Sequence, residues 1–253
     1  MKHELFLSII IPCYNEASRG NSDFSLVDRL GYLKFYFEKF ERSHELIFVS
    51  DGSTDDTVIV IEQYIHDNNL KTWHLLVDVD NHGKGYSIRK GIEFARGQMI
   101  LFMDADLAIP LPNIQRFVDD GDAHSCIIGN RYSEKKNIYD SFKRSFISQC
   151  SKMLIRPLLP IKVADTQCGF KLFPREVVVR NLKVFKVDRW LFDVELLMVL
   201  MHSGIKVIEK PLNWDNMIES TVSNKAVISS LRELCSLYLR KWSLKRAVQK
   251  NWV

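Results

Sequence analysis

Cysteine is scarce and poorly spaced for either disulfides or metal. The five residues (Cys13, Cys126, Cys150, Cys168 and Cys235) are odd in number and no two stand in CxxC spacing. This argues against a disulfide framework or zinc site and for a reducing cytosol. Long apolar runs are missing too. No stretch of about 18 apolar residues occurs, so no helix is expected to span a bilayer. Even Trp190–Met201 is interrupted by Asp193 and Glu195. The opening run Leu5–Ile11 has no small-residue cleavage site after it and reads as a buried strand, not a signal peptide. Repeats, low-complexity tracts and linkers are lacking, so the chain reads as one folded unit. Charge of one sign is also modest, at +4, and nothing global points to nucleic acid.

What is present is the balance of a globular protein: 253 residues, 46% apolar and 26% charged, ample for a sizeable core. The charge is unevenly spread. Seven Lys/Arg fall between Arg131 and Arg156 against Glu134 and Asp140, and seven more between Lys225 and Lys250 against Glu233 alone. Two such zones imply an anionic partner, phosphates or a lipid surface, or else two solvated helix faces.

Short apolar segments alternate with helical patterns through the first half. Strands are expected at Leu7–Pro12, Leu46–Val49, Trp73–Val77 and Met99–Met103. Helices are expected at Leu26–Phe40, at Thr54–Ile65 (Ser53 or Thr54 as cap, Asp55 and Asp56 in the first turn) and at Lys84–Ala95. Further on, Cys126–Gly129 and Lys206–Glu209 read as strands. Residues 140–158 read as a basic amphipathic helix, and Trp190–His202 and Val227–Val248 as helices, the last striped by Leu231, Leu234, Tyr238 and Trp242. The alternation argues for a mainly parallel sheet with helices on both faces, whose ligands bind at the carboxyl ends of strands. Three strands run into polar clusters at that end: Asn15/Glu16, Asp51/Ser53/Asp55 and Asp104/Asp106. Two carboxylates two residues apart at a strand end suit a hard cation such as Mg2+ or Mn2+, with positions left for diphosphate oxygens. Taken alone, Asp104-Ala105-Asp106 reads equally well as a loop of solvated acids.

Four blocks occur in order: Ile9-Ile10-Ile11-Pro12-Cys13-Tyr14-Asn15-Glu16, Val49-Ser50-Asp51-Gly52-Ser53-Thr54-Asp55, Asn81-His82-Gly83-Lys84-Gly85, and Asp104-Ala105-Asp106. Together they resemble the inverting family 2 glycosyltransferases, of GT-A fold, over roughly residues 7–215. The resemblance implies that Pro12, Tyr14, Asn15 and Glu16 line the nucleoside pocket and that Asp51 bonds the base. It sets Lys84 near the diphosphate, Asp104 and Ala105 at the ribose or metal, and Asp106 as the main metal ligand. Gly129-Asn130-Arg131, Asp165-Thr166-Gln167-Cys168-Gly169-Phe170-Lys171, Arg189-Trp190-Leu191-Phe192-Asp193-Val194-Glu195 and Asn213-Trp214 look like the branch that contains dolichyl-phosphate glucosyltransferases.

That branch implies transfer of a hexose, with UDP-glucose the donor by resemblance only, to a polyprenyl phosphate. Arg131, Lys143 and Arg144 become candidates to hold the acceptor phosphate, and Asp165 and Gln167 to contact sugar or acceptor. A phosphate oxygen is already a nucleophile, so no strong base is needed. Asp193 is the candidate base if the acceptor is a sugar hydroxyl, or else a helix residue paired with Arg189 four positions earlier. A nucleotide-sugar-binding protein without transferase activity and a nucleotidyltransferase remain as alternatives. The chain departs from related patterns at Ala108, where mannosyltransferases often carry a metal-binding Gln, and at Glu219–Ser223, where a Gly-Ser-Lys is usual. Eukaryotic members carry an N-terminal anchor, which the opening run is not expected to supply.

The expected organisation is a GT-A domain over 1–222 and a basic amphipathic helix over 223–253, packed on the domain or lying at a membrane surface. The expected location is cytoplasmic, with peripheral contact at the inner membrane face.

Overall fold

The computed structural model describes residues 5–19, 24–131, 163–212 and 224–251. Among these residues seven strands form one sheet: β1 (Leu7–Cys13), β2 (His44–Asp51), β3 (Trp73–Asp78), β4 (Met99–Met103), β5 (Ser125–Asn130), β6 (Phe170–Pro174) and β7 (Lys206–Pro211). Their order is β3-β2-β1-β4-β6-β5-β7. All pairings are parallel except those of β6, which runs antiparallel to both β4 and β5. The mainly parallel α/β sheet is therefore as the sequence implies, but β6 is an element the periodicity did not give. It has five residues, ends in proline and carries Lys171 at its second position, so it shows no long apolar run.

Helices cover both faces. On one side α1 (Leu26–Phe37), α2 (Thr57–Asp67) and α4 (Pro112–Asp120) pack over Ile9, Ile11, Leu46, Phe48 and Leu101. On the other lie α3 (Lys84–Phe94), α5 (Arg175–Arg180), α6 (Phe192–His202) and α7 (Asn224–Lys250), over Ile10, Ile47, Ile100, Phe102 and Phe173. Alternate residues of one strand feed opposite cores, as the pleat requires.

Local chemistry sets the helix starts. A capping box opens α1, in which Ser25 Oγ accepts from the Asp28 amide (3.2 Å) and Asp28 Oδ2 from the Ser25 amide (2.9 Å). The second helix begins at Thr57, three residues later than the sequence suggests. Asp55 is not in its first turn. Its Oδ1 accepts from both the amide and the hydroxyl of Thr57, and Oδ2 from the Ser18 amide, while the Thr54 amide is taken by Asn15. The expected cap residues instead tie the ends of β1 and β2 together.

The C-terminal helix has two apolar faces. Among its described side chains Leu237, Leu244 and Val248 are buried in the same core as α6, with Leu234 packed against it, whereas Leu231, Tyr238 and Trp242 of the expected stripe point outward. Two acids fasten it. Glu195, fully buried on α6, is bonded by Arg240 and accepts from the amides of Lys186 and Val187. Glu233 accepts from the amides of Arg189, Trp190 and Leu191 at 3.0–3.1 Å. These are donors at the start of α6, which has no side-chain cap of its own.

Candidate active site

The carboxyl ends of β1, β2 and β4 converge with the start of α3. Asp51, closing β2, is buried. Its Oδ1 accepts from the His82 amide (2.9 Å) and its Oδ2 from the Gly83 amide (2.7 Å). It shapes the loop ahead of α3, and a base contact would use the lone pairs left over.

Gly83 has φ +118°, and a Cβ there would lie 2.5 Å from Arg189 Cγ, while one on Gly85 would lie 2.6 Å from Phe192 Cβ. Both positions must be glycine for α3 to seat its first turn on residues 187–192. The Tyr86 amide donates to the Asp188 carbonyl in the same contact (2.9 Å).

This seat aims Lys84 at the end of β4, where its Nζ is 2.5 Å from Asp104 Oδ1. Burial opposes its charge, but the carboxylates of Asp104, Asp193 and Asp106 outweigh it and hold the ammonium above the ordinary lysine range. The Asp106 carboxyl is pushed up from its ordinary value, first by burial and then by Asp104, with Glu16 adding to it. Its Oδ1 accepts from the Ala108 amide (3.0 Å). Against Asp104 lies bare backbone, for a Cβ on Gly169 would come within 1.9 Å of Asp104 Oδ2.

Glu16 is brought to the cluster but has a structural partner. Arg29 of α1 donates Nη1 to Glu16 Oε2 (2.9 Å) and to the Ala105 carbonyl (2.8 Å), and Nη2 to the Glu16 carbonyl (2.7 Å). One guanidinium thus ties the loop after β1 to the Asp104-Ala105-Asp106 turn. Pro12 is half-buried, Tyr14 is exposed, and Asn15, at φ +54°, spends its side chain on Thr54.

The second-half candidates also form pairs. Asp165 is buried and takes Arg131 in a fork: Nε to Oδ2 at 2.7 Å, Nη2 to Oδ1 at 2.8 Å, with the Arg131 amide adding a third bond. Gln167 is exposed beside it. Asp193 is not paired with Arg189, which precedes α6 and reaches the Asn81 carbonyl instead (3.3 Å). Its Oδ1 accepts from Lys171 Nζ (2.5 Å), which also donates to the Cys168 carbonyl (2.6 Å). The two ammoniums stand near one ring, Lys171 Nζ 5.1 Å and Lys84 Nζ 5.8 Å from the centroid of Phe102. Lys143, Arg144 and the basic segment 140–158 lie outside the described residues, as do Asn213-Trp214 and 219–223.

Sequence reasoning gave no role to Arg29, Lys171 or Glu233. Lys171 carried a signal, a charged residue amid Phe170, Leu172 and Phe173. Arg29 and Glu233 carried none, since each looks like a solvated helix residue until its partner is seen.

The family model described as Glycosyl transferase family 2 matches residues 8–181. The dolichyl-phosphate beta-glucosyltransferase of Homo sapiens is 34% identical over 223 residues, covering 82% of this chain and 67% of that protein. That of Saccharomyces cerevisiae is 32% identical over 232 residues, covering 83% and 67%. The chain thus spans about two thirds of the length of these relatives.

Among solved structures, glucosyl-3-phosphoglycerate synthase from Mycobacterium tuberculosis, in complex with Mn2+, UDP and glucosyl-3-phosphoglycerate, superposes with a TM-score of 0.63 at 16% identity, over 94% of this chain and 80% of that one. S. aureus TarS 1–349 with UDP-GlcNAc gives 0.55 at 17%, over 98% and 72%. At such identities the likeness is one of fold, and both are GT-A proteins. With the family model covering most of the chain, and relatives above 30% identity over four fifths of it, this protein belongs to glycosyl transferase family 2.

Proposed function

We propose that the protein is an inverting glucosyltransferase that moves glucose from UDP-glucose to dolichyl phosphate or a related polyprenyl phosphate. The observation that carries this reading is the cluster of Lys84, Asp104 and Asp106 at the carboxyl ends of the parallel strands, an ammonium and two carboxylates in one small space. The ammonium takes the charge of a nucleotide diphosphate as it leaves, and is held charged for that task by its acidic neighbours. The names of the relatives at 32–34% identity supply the hexose and the acceptor.

A second feature supports a phosphate acceptor over a sugar hydroxyl. A base for a hydroxyl must take up a proton, whereas the Asp193 oxygen already accepts from Lys171 inside the core. A phosphate needs no such base and attacks C1 of the sugar directly. Arg131, braced by Asp165, is the described residue suited to orient it, with Lys143 and Arg144 as further candidates.

The site also suits a divalent cation. Asp106 is raised by crowding with Asp104 and Glu16, a concentration of negative oxygen that a hard cation relieves. Asp104 and Asp106 are the proposed ligands of Mg2+ or Mn2+. With two side chains from this turn, diphosphate oxygens, water or a more distant residue would complete the shell. When bound, the ion neutralises charge on the departing diphosphate. A reducing, cytoplasmic setting belongs to the same proposal and is supported by five cysteines of odd number with no CxxC spacing.

The test is transfer from UDP-glucose to a short polyprenyl phosphate with Mn2+, followed by extraction of the lipid product. Glucosyl lipid is expected, with Lys84→Met slower by about 10²–10³-fold. Transfer to sugar hydroxyls but not to the lipid phosphate would overturn the acceptor. Lipid product from a GDP-linked hexose alone would overturn the donor.

A further inference from the structure

Among the described residues, the outer side of α7 carries exposed apolar side chains turned away from the core. Leu239 is 84% exposed, Trp242 66%, Tyr238 52% and Leu231 48%. These four stand at i, i+7, i+8 and i+11, one side of a helix, opposite the buried Leu237, Leu244 and Val248. Large apolar side chains gathered on one exposed face mark a binding surface rather than chance exposure.

Charge decides what the surface fits. Glu233 is the one acid in Asn224–Lys250, and it is turned inward onto the amides of residues 189–191. Arg240 is also spent inward, on Glu195. The charges flanking the apolar strip are all positive, among them Arg232, Lys245 and Arg246. Lys241 Nζ lies 4.0 Å from the Tyr238 ring and 5.7 Å from that of Trp242, an arrangement that keeps an ammonium beside the aromatics. A second copy of the same face would set like charges together, which opposes self-association. Aromatic and aliphatic side chains rimmed by Lys and Arg match instead the boundary of an anionic lipid leaflet, where rings take the headgroup level and ammoniums meet phosphates.

We propose that the outer face of α7 is a docking surface for an anionic membrane leaflet, with Leu231, Tyr238, Leu239 and Trp242 entering the headgroup boundary and the basic residues beside them contacting lipid phosphates. The helix serves two faces at once: Leu237, Leu244 and Val248 hold it to the core while the opposite side meets lipid. Removing it would unseat the core, so the test uses point substitutions in the full chain. The proposal concerns lipid binding and stands apart from the choice of donor or acceptor.

The experiment is co-sedimentation with phosphatidylcholine vesicles, with and without phosphatidylglycerol. Compared are wild type, Leu239→Glu/Trp242→Glu, Lys245→Gln/Arg246→Gln, and Val27→Glu, which alters an exposed apolar residue of α1 as a control. Wild type and the Val27 variant should bind anionic vesicles equally, and neutral ones weakly. Each α7 double variant should bind the anionic vesicles at least about tenfold less, at unchanged melting temperature. Equal binding by wild type and the Leu239/Trp242 variant would overturn the proposal. So would an absence of vesicle binding, including the case of a dimer that this variant dissolves, which would make a second copy the occupant.

Discussion

The ammonium of Lys171 lies wholly within the core, between the carboxylate of Asp193 and the carbonyl of Cys168, near the ring of Phe102. Removing one member of a buried ion pair strands the charge of the other, at a cost of about 3–5 kcal/mol. Lys171→Met should therefore lose stability on that order in urea unfolding, and adding Asp193→Leu should restore much of it. A single variant as stable as wild type would show that the pair is not buried as described. At this scale the sequence was legible where a residue's neighbours are its own neighbours in the chain. The places of Asp104, Asp106 and Lys84 at a strand end and a glycine-flanked helix start could be read from local pattern, while the roles expected of them rested on the family resemblance. The sequence was silent on partners supplied from afar: Arg29 for Glu16, Arg131 for Asp165, Lys171 for Asp193. An acid waiting at a strand end and one already held by an arginine look alike in sequence.

Between elements, Glu233 couples α7 to the start of α6. Burial holds its carboxyl above the ordinary glutamate value of 4.5, although the amides of Leu191, Arg189 and Trp190 pull the other way. Just above 4.5 the folded state thus keeps a proton that the unfolded chain has lost, so this contribution to stability falls as pH rises through the window and then levels. Glu233→Gln keeps an acceptor for the amides and removes the titration. Unfolding free energies of wild type and variant, compared from about pH 4 to pH 7, should differ by an amount that declines for wild type as pH rises. A constant difference would refute the assignment. Strands of continuous apolar residues were legible, because burial on both faces writes itself as a run. The antiparallel β6 was not, since Lys171 interrupts its short apolar run and finds its partners only in the folded core. The sequence left open which side of α7 meets the core, because the helix has two apolar faces and periodicity alone does not choose between them.

For the molecule as a whole, the sheet brings β1, β2 and β4 side by side only after crossovers through α1, α2 and α3, so blocks far apart in the chain share one end of one sheet. A ligand that bridges those blocks should stabilise all of them together. UDP with Mn2+ is expected to raise the melting temperature, by the equivalent of about 2.7 kcal/mol at a hundredfold excess over Kd. Chelating the metal, or Asp106→Asn, should remove most of that shift while leaving the ligand-free melting temperature close to wild type. A full shift with UDP in chelator would count against the proposed metal role of Asp104 and Asp106. Gly169 adds a consequence for how this pocket can change over generations. This glycine lies against the Asp104 carboxylate with no room for a side chain between them, and any other residue presses its first carbon on that group. A larger residue there is admitted only if the carboxylate gives way. Change at this point over generations would therefore have to pass through both residues at once.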